Sequence, residues 1–345
     1  MQLPLNFADE TALDDFLAQP SPDLIECMKR LDGDLMILGI AGKMGVSLGR
    51  RAVNAVRAAG GKRKVIGVAR FSNPDARAEL EAHGVETIAC DLLDRGAVAK
   101  LPVASNVIFM AGRKFGTGDA ADLTWAMNTL APGHVVEHFR NSRIVAFSTG
   151  CVYPLVAAET GGCTETVMPE PVGEYAQSCL GRERIFQYGV RAFGVRVLLF
   201  RLNYAIDLRY GVLHDIAQQI YHGEKVNNAV GRFNVIWQGD ANEIALRSLE
   251  RCAAPAEILN VTGPETASVT AIAEELGRLL GKKVEYLHPV SGEQCYLNNA
   301  GKMASLFGAP SVPLGVMLHW QAEWLRSGGA SFGKPTHFEV HDGRF

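Results

Sequence analysis

No stretch of this chain stays apolar for the roughly 18 residues that a bilayer crossing needs. Its first residues, MQLPLNFADETALDDF, are acidic and lack the basic-then-apolar order of a secretory signal. A cytoplasmic location is the expectation. Charge of one sign is lacking too: 34 Lys and Arg stand against 37 Asp and Glu, a net charge of -3. That balance carries no electrostatic footprint for nucleic acid, so neither nucleic acid nor membrane is expected as a partner. The seven cysteines, Cys27, Cys90, Cys151, Cys163, Cys179, Cys252 and Cys295, are odd in number and contain no C-x-x-C pair. This argues against a disulfide framework and a structural zinc site, and no metal is expected. Internal repeats and low-complexity tracts are missing as well.

What is present is a long chain with a large apolar share. Of 345 residues, 48% are hydrophobic and 21% charged. That suits one large α/β domain, or two intertwined ones, and excludes disorder. Glycine, at 36 residues, exceeds its usual share of about 7% and suits many tight strand-to-helix turns.

Residues 9–32 read as a helical preface. Thr11 followed by Asp14 is a weak capping pattern; Ser21-Pro22 is a better helix start. Leu24, Ile25, Met28 and Leu31 then share one face that should pack on the body. From Asp34 the chain alternates. Short apolar runs occur at 35–40, 64–69, 86–90, 106–112, 143–149, 195–202 and 258–263, most of them separated by amphipathic segments such as 48–59 and 125–139. Near-continuous apolar strands separated by helices predict a doubly wound parallel sheet of about seven strands, a Rossmann-type α/β fold. The expected division is an N-terminal helical extension (1–33), a dinucleotide-binding domain (34–203) and a mostly substrate-binding lobe (204–330). Strand 258–263 should return from the lobe to the main sheet, and 331–345 should be an irregular tail.

Gly39, Gly42 and Gly45 directly follow the first strand and open a helix carrying Leu48, Ala52, Val53 and Val56 on one face. Such a turn needs one glycine for the bend, one for close approach to a pyrophosphate and one for helix-strand packing. The phosphates then meet the helix N-terminus. Lys43 and Met44 lie within this turn. The second strand, by contrast, ends Val68-Ala69-Arg70 and lacks the acid that would bind the adenosine ribose. An arginine there suits a 2'-phosphate, and Lys43 could add to that positive pocket. NADP is therefore expected in preference to NAD.

Further segments form an ordered set. They are Cys90-Asp91-Leu92-Leu93-Asp94, Val107 to Gly112 with Ala111, Asn128, Phe147-Ser148-Thr149-Gly150-Cys151-Val152-Tyr153-Pro154, Tyr175, and Arg201-Leu202-Asn203-Tyr204. With the glycine turn, they make the chain resemble the extended short-chain dehydrogenases/reductases, the NAD-dependent epimerase/dehydratase group, over about residues 34–326. The resemblance implies that Asp91 and Leu92 hold the adenine, and that Ala111, Gly112 and Asn128 lie beside the cofactor. It implies that Thr149, with Ser148 next to it, hydrogen-bonds the reacting oxygen, and that Tyr175 is the acid/base. It also implies a substrate site near Asn203, and a homodimer through the helices around 122–139 and 174–191.

Two expected features are missing. The family's lysine four residues after the tyrosine is here Cys179. A phenol has a pKa near 10, so without a cation it is a sluggish base. Arg182, Arg113 or Lys114 could supply the charge; Tyr175 could serve only as an acid; or the site could have kept binding and lost chemistry. The sugar-nucleotide members also use two arginines on the substrate diphosphate. Arg232 is displaced by one position from one of them, and no arginine stands near 288–292. A free sugar, sugar acid or other small hydroxy/keto substrate is therefore expected rather than a nucleotide sugar.

Other candidates are weaker. Cys151, Cys163 and Cys179 match no ligand spacing. His214 and His222 could share a helix face, Glu165 and Glu170 could contact substrate, and Trp320 with Trp324 reads as core. Two function classes remain: an NAD(P)-dependent hydride-transfer enzyme, or a dinucleotide- or metabolite-binding sensor of the same fold.

Overall fold

The computed structural model describes residues 3–114 and 120–340, so residues 341–345 of the expected tail lie outside the described residues. All seven apolar runs become strands of one parallel sheet. They are β1 Leu35–Leu38, β2 Val65–Ala69, β3 Glu86–Ala89, β4 Asn106–Phe109, β5 Arg143–Thr149, β6 Arg196–Leu202 and β7 Glu257–Val261. Their spatial order is β3-β2-β1-β4-β5-β6-β7. Leu35 pairs with Val65 on one side and Asn106 on the other. The strand order reverses there, so a crevice opens beyond the carboxyl ends of β1 and β4. Every residue of β1 and β4 is buried, as a sheet covered on both faces requires. Edge strand β3 instead exposes Glu86, and charge at an edge discourages further strand pairing.

Two helices precede the sheet, α1 Glu10–Leu17 and α2 Pro22–Arg30. Ser21 caps α2 as expected, its hydroxyl accepting from the Leu24 amide at 3.1 Å. For α1 the cap is Asp9 rather than Thr11; its carboxylate accepts from the Ala12 amide at 2.8 Å. The pair does not behave as one extension. Leu24, Cys27 and Met28 of α2 join the core of the sheet. Leu13 and Leu17 of α1 join a second core with Trp237, Trp320 and Trp324.

Helix α3 (Gly45–Ala58) follows β1, and α4 (Gly173–Phe193) follows β5. The helix expected at 125–139 spans Ala121–His138 with a wide turn at Ala126–Leu130. Pro132 has no amide to donate and crowds the carbonyl of Asn128, so the ladder widens there. In the 204–330 segment, Val212–Tyr221, Val269–Leu280 and Leu314–Arg326 build the second core. Helix α5 (Gln238–Arg247) instead packs Ala241, Ile244 and Ala245 on the sheet. The tail also takes part, with Phe338 buried in the second core. No helix among the described residues is long and apolar enough to cross a membrane.

Candidate active site

Gly39 ends β1 with φ +91°, and a Cβ there would sit 2.6 Å from the Ala111 amide nitrogen. At Gly45 a Cβ would collide with the Ile40 carbonyl. At Gly42 it would meet nothing nearer than the Gly39 oxygen at 3.4 Å. Two of the glycines thus permit packing, and the third leaves an open face. Helix α3 begins behind this face with no side-chain cap and no acid in its first turn. Its first amides and its positive dipole end fit a dinucleotide diphosphate. Ser47 fastens the turn to α5: its hydroxyl donates to the Met44 carbonyl and accepts from Gln238 and Asn242 at 3.1 and 2.9 Å.

A cavity of about 960 Å³ is lined by Gly39, Gly42, Lys43 and Met44 at one end and by Gly112, Ser148, Thr149, Tyr175 and Asn203 at the other. Strand β5 delivers Thr149 at its carboxyl end, and α4 delivers Tyr175 in its first turn. The Thr149 hydroxyl accepts from the Cys151 amide at 3.2 Å and stands beside the Tyr175 phenol, where it opposes the rise of the phenol's pKa. One helical turn on, the Cys179 thiol is the phenol's other neighbour. Burial pushes the Tyr175 phenol well above its usual 10, and the Arg182 charge opposes that rise.

Two cations, Arg182 and Lys114, reach this corner. Arg182 donates to the Phe147 carbonyl at 2.8 Å and to Asn128 Oδ1 at 2.5 Å. It lies so close under Gly112 that a Cβ there would be 2.5 Å from its Nη2. Lys114 lines the cavity and donates to the Thr336 carbonyl at 3.1 Å. Burial lowers its pKa, and the Cys151 and Cys179 sulfurs pull it back up.

Ser148 plays a different part from the one expected. Its hydroxyl donates to Glu183 at 2.6 Å, and Glu183 pairs with Arg201 at 2.7 Å, both carboxylate and guanidinium buried. Ser148 therefore holds a buried ion pair behind Thr149. Asn128 is likewise committed: it accepts from the Arg113 amide and Arg182, and donates to the Arg113 carbonyl and Ser178. It shapes the segment after β4 and is off the cavity wall.

Of the other expected binders, Arg70, Asp91, Leu92 and Arg232 are not on the lining of this cavity. Arg70 is exposed beyond β2; the wall at that end is made by Asn73, Glu79 and Arg50. Asp91 Oδ1 accepts from the Leu93 amide at 3.0 Å, and Leu92 is buried after β3. Arg232 is exposed and lines a separate cavity of about 420 Å³ with Ser268, Ser291 and Glu159. It is not brought to Tyr175, because its short strand pairs with Ser268 instead. Lys43 does not join Arg70 either. Its ammonium donates to the Ala205 carbonyl at 3.3 Å and sits 3.8 Å over the Tyr210 ring.

The weaker candidates settle into structural places. His214 bonds Ser331 and Gln321, and Glu165 accepts from the Asn260 amide at 2.9 Å. Burial raises the Cys151, Cys163 and Cys179 thiols, the opposite of a reactive thiolate.

Sequence reading missed the far wall. Glu10 and Asp14 of α1, Arg209, Tyr210, Phe332, Lys334 and Thr336 all line the cavity. Arg209 is clamped by Asp14 at 2.7 Å and Asp207 at 2.9 Å. Thr336 donates its amide to Asp215 at 2.8 Å. No local pattern announces these residues, because tertiary packing alone joins both chain ends to the cavity.

No family model matches the chain, and no curated protein matches it. Solved structures do. A UDP-glucuronic acid 4-epimerase from Bacillus cereus in complex with NAD aligns with TM-score 0.69 at 17% identity, covering 85% of this chain and 98% of that one. A UDP-glucose 4-epimerase from Thermotoga maritima with UDP-glucose aligns with TM-score 0.68 at 17% identity, covering 86% and 99%. A UDP-glucose 4-epimerase from Thermus thermophilus, complexed with NAD, aligns with TM-score 0.69 at 19% identity, covering 85% and 99%. At these identities the likeness establishes a shared Rossmann-type α/β fold.

Proposed function

We propose that this protein is a nicotinamide-dinucleotide-dependent enzyme of the extended short-chain dehydrogenase/reductase type. Its substrate is a sugar, a sugar acid or another small hydroxy/keto compound. One observation carries the reading: a threonine hydroxyl and a tyrosine phenol stand side by side in a cavity that starts at an uncapped glycine turn. Gly39, Gly42, Met44 and the α3 amides would hold the dinucleotide, which supplies hydride chemistry when bound. Thr149 orients the reacting oxygen, and Tyr175 gives it a proton. The second hydride-free reading, a sensor, draws on Cys179 standing where the family has lysine. Purified protein with NADPH or NADH and a panel of aldoses, ketoses and keto acids decides between them. Consumption of reduced nicotinamide with one of these supports the enzyme; dinucleotide binding with no turnover on any supports the sensor.

The cofactor preference belongs to this proposal. Arg70 is exposed and close behind β2, where its guanidinium can pair with a 2'-phosphate. NADPH should bind about tenfold more tightly than NADH, the size of one charge-assisted hydrogen bond of about 1.5 kcal/mol. Calorimetry should show that Arg70→Ala removes the difference. Equal affinities in the wild type would end the NADP preference.

Assembly is the third part of it. Val135 and Val136, on the first of the helices expected to pair, are buried within the subunit. Leu123 and Leu130 remain exposed on their helix, and Tyr188 on α4. We place a homodimer contact on these two helices. Light scattering should give twice the chain mass at micromolar concentration, and a monomer there would contradict it.

A further inference from the structure

We infer that the cavity recognises an acidic group on the substrate, a carboxylate, phosphate or sulfate, between Lys43 and Lys114. This rests on the reading of Thr149 and Tyr175 as the reacting corner. Lys43 leaves the glycine turn and crosses to the opposite wall, where a carbonyl at 3.3 Å and the Tyr210 ring are its contacts. It forms no ion pair among the described residues. Lys114 enters the same cavity from behind β4, and its charge bears on Cys151 and Cys179 beside Tyr175. The Lys114 charge also bears on Lys43, so the two ammonium groups face one stretch of the cavity. Arg209 is nearby but is already spent on Asp207, Asp14 and Glu10. A substrate held by its acidic end there would keep its carbonyl or alcohol within reach of Thr149.

The surroundings of Lys43 make the recognition pH-sensitive. Desolvation pushes its pKa down to about 7; Lys114 and Arg209 add to the drop, and Asp207 and Asp215 oppose it. The other titratable or charged groups around the cavity are Glu10 and Asp14 on α1, Arg50, Glu79, Lys334, Tyr175, Tyr204, Tyr210, Cys151 and Glu339. The phenols and the thiol are raised, so they stay neutral through the same range. An anion requires the protonated Lys43, so binding must weaken as pH rises through that value.

Sulfate is a suitable probe because its charge is constant over this range. Calorimetry at fixed ionic strength, on the full chain saturated with NADPH, should show sulfate binding. Its affinity should fall by about 30-fold from about pH 6 to about pH 8.5, as one titrating site near 7 requires. Lys43→Met and Lys114→Met should each weaken sulfate binding by at least tenfold while NADPH binding is retained. Lys43→Arg should keep binding and flatten the pH dependence, which a merely structural lysine would not do. Sulfate that is displaced by NADPH would assign the two lysines to the dinucleotide diphosphate and overturn the inference. Undiminished sulfate affinity in both methionine variants would overturn it too. Failure of NADPH itself to bind would instead remove the dinucleotide reading, and sulfate binding measured without NADPH would still test the lysines.

Discussion

Tyr175→Phe should lower turnover on the order of 10³-fold, within the range for a lost general acid, and leave dinucleotide affinity nearly unchanged. Only the phenolic oxygen is removed; the ring still packs against Cys151, Ala176 and Tyr296. Thr149→Ala should cost less, about 10²–10³-fold, as for one lost oxyanion donor. The pH dependence follows from the burial of the phenol, which pushes its pKa well above the usual 10. The protonated form is the one that donates, so reduction of a carbonyl should show no falling limb from Tyr175 up to about pH 9. Oxidation of an alcohol needs the phenolate, so its rate should still be climbing there, about tenfold per pH unit. Cys179→Lys would place an ammonium one turn from the phenol and stabilise the phenolate. The climbing limb should then move to lower pH. Should Arg182 or Lys114 already serve that purpose, the variant would shift nothing. Steady-state rates against pH for the three variants check all of this, and full activity in Tyr175→Phe would rule out the tyrosine mechanism.

Much of this site could be read from the chain because its parts are local. The seven strands announced themselves as apolar runs, and all seven were found, because a sheet buried on both faces demands uninterrupted apolar sequence. The glycine turn was legible for a steric reason that two of its residues bear out, Gly39 against Ala111 and Gly45 against Ile40. Thr149 and Tyr175 were legible only as members of an ordered set of motifs. What stayed hidden depends on side chains that travel. Lys43 was expected beside Arg70, yet its long stem carries the charge across the cavity to Ala205. Ser148 stands next to Thr149, but strand alternation turns the two hydroxyls apart, one to Glu183 and the other to Tyr175. The role of α1 was illegible because its acids act on Arg209, about 195 residues further along the chain.

Arg201→Leu should be the most destabilising single change near the site, by roughly 3–5 kcal/mol, the usual consequence of leaving one member of a buried pair alone. Arg201 on β6 makes two hydrogen bonds to Glu183, at 2.9 and 2.7 Å, and its guanidinium lies 4.7 Å from the centre of the Tyr153 ring. Glu183 on α4 is fully buried and has Ser148 on β5 as its other partner. Removing the guanidinium would strand a carboxylate in the interior with one hydroxyl to answer it. The three elements it joins are those that set Thr149 against Tyr175, so activity should fall along with stability. Urea unfolding should show a lower midpoint with an unchanged slope. The pair variant Glu183→Leu with Arg201→Leu should be less destabilised than the sum of the single changes, because no charge is then left unpaired. A loss below about 1 kcal/mol in Arg201→Leu, the size of an exposed pair, would mean that water reaches Glu183 and that α4 is held to the sheet mainly by apolar packing.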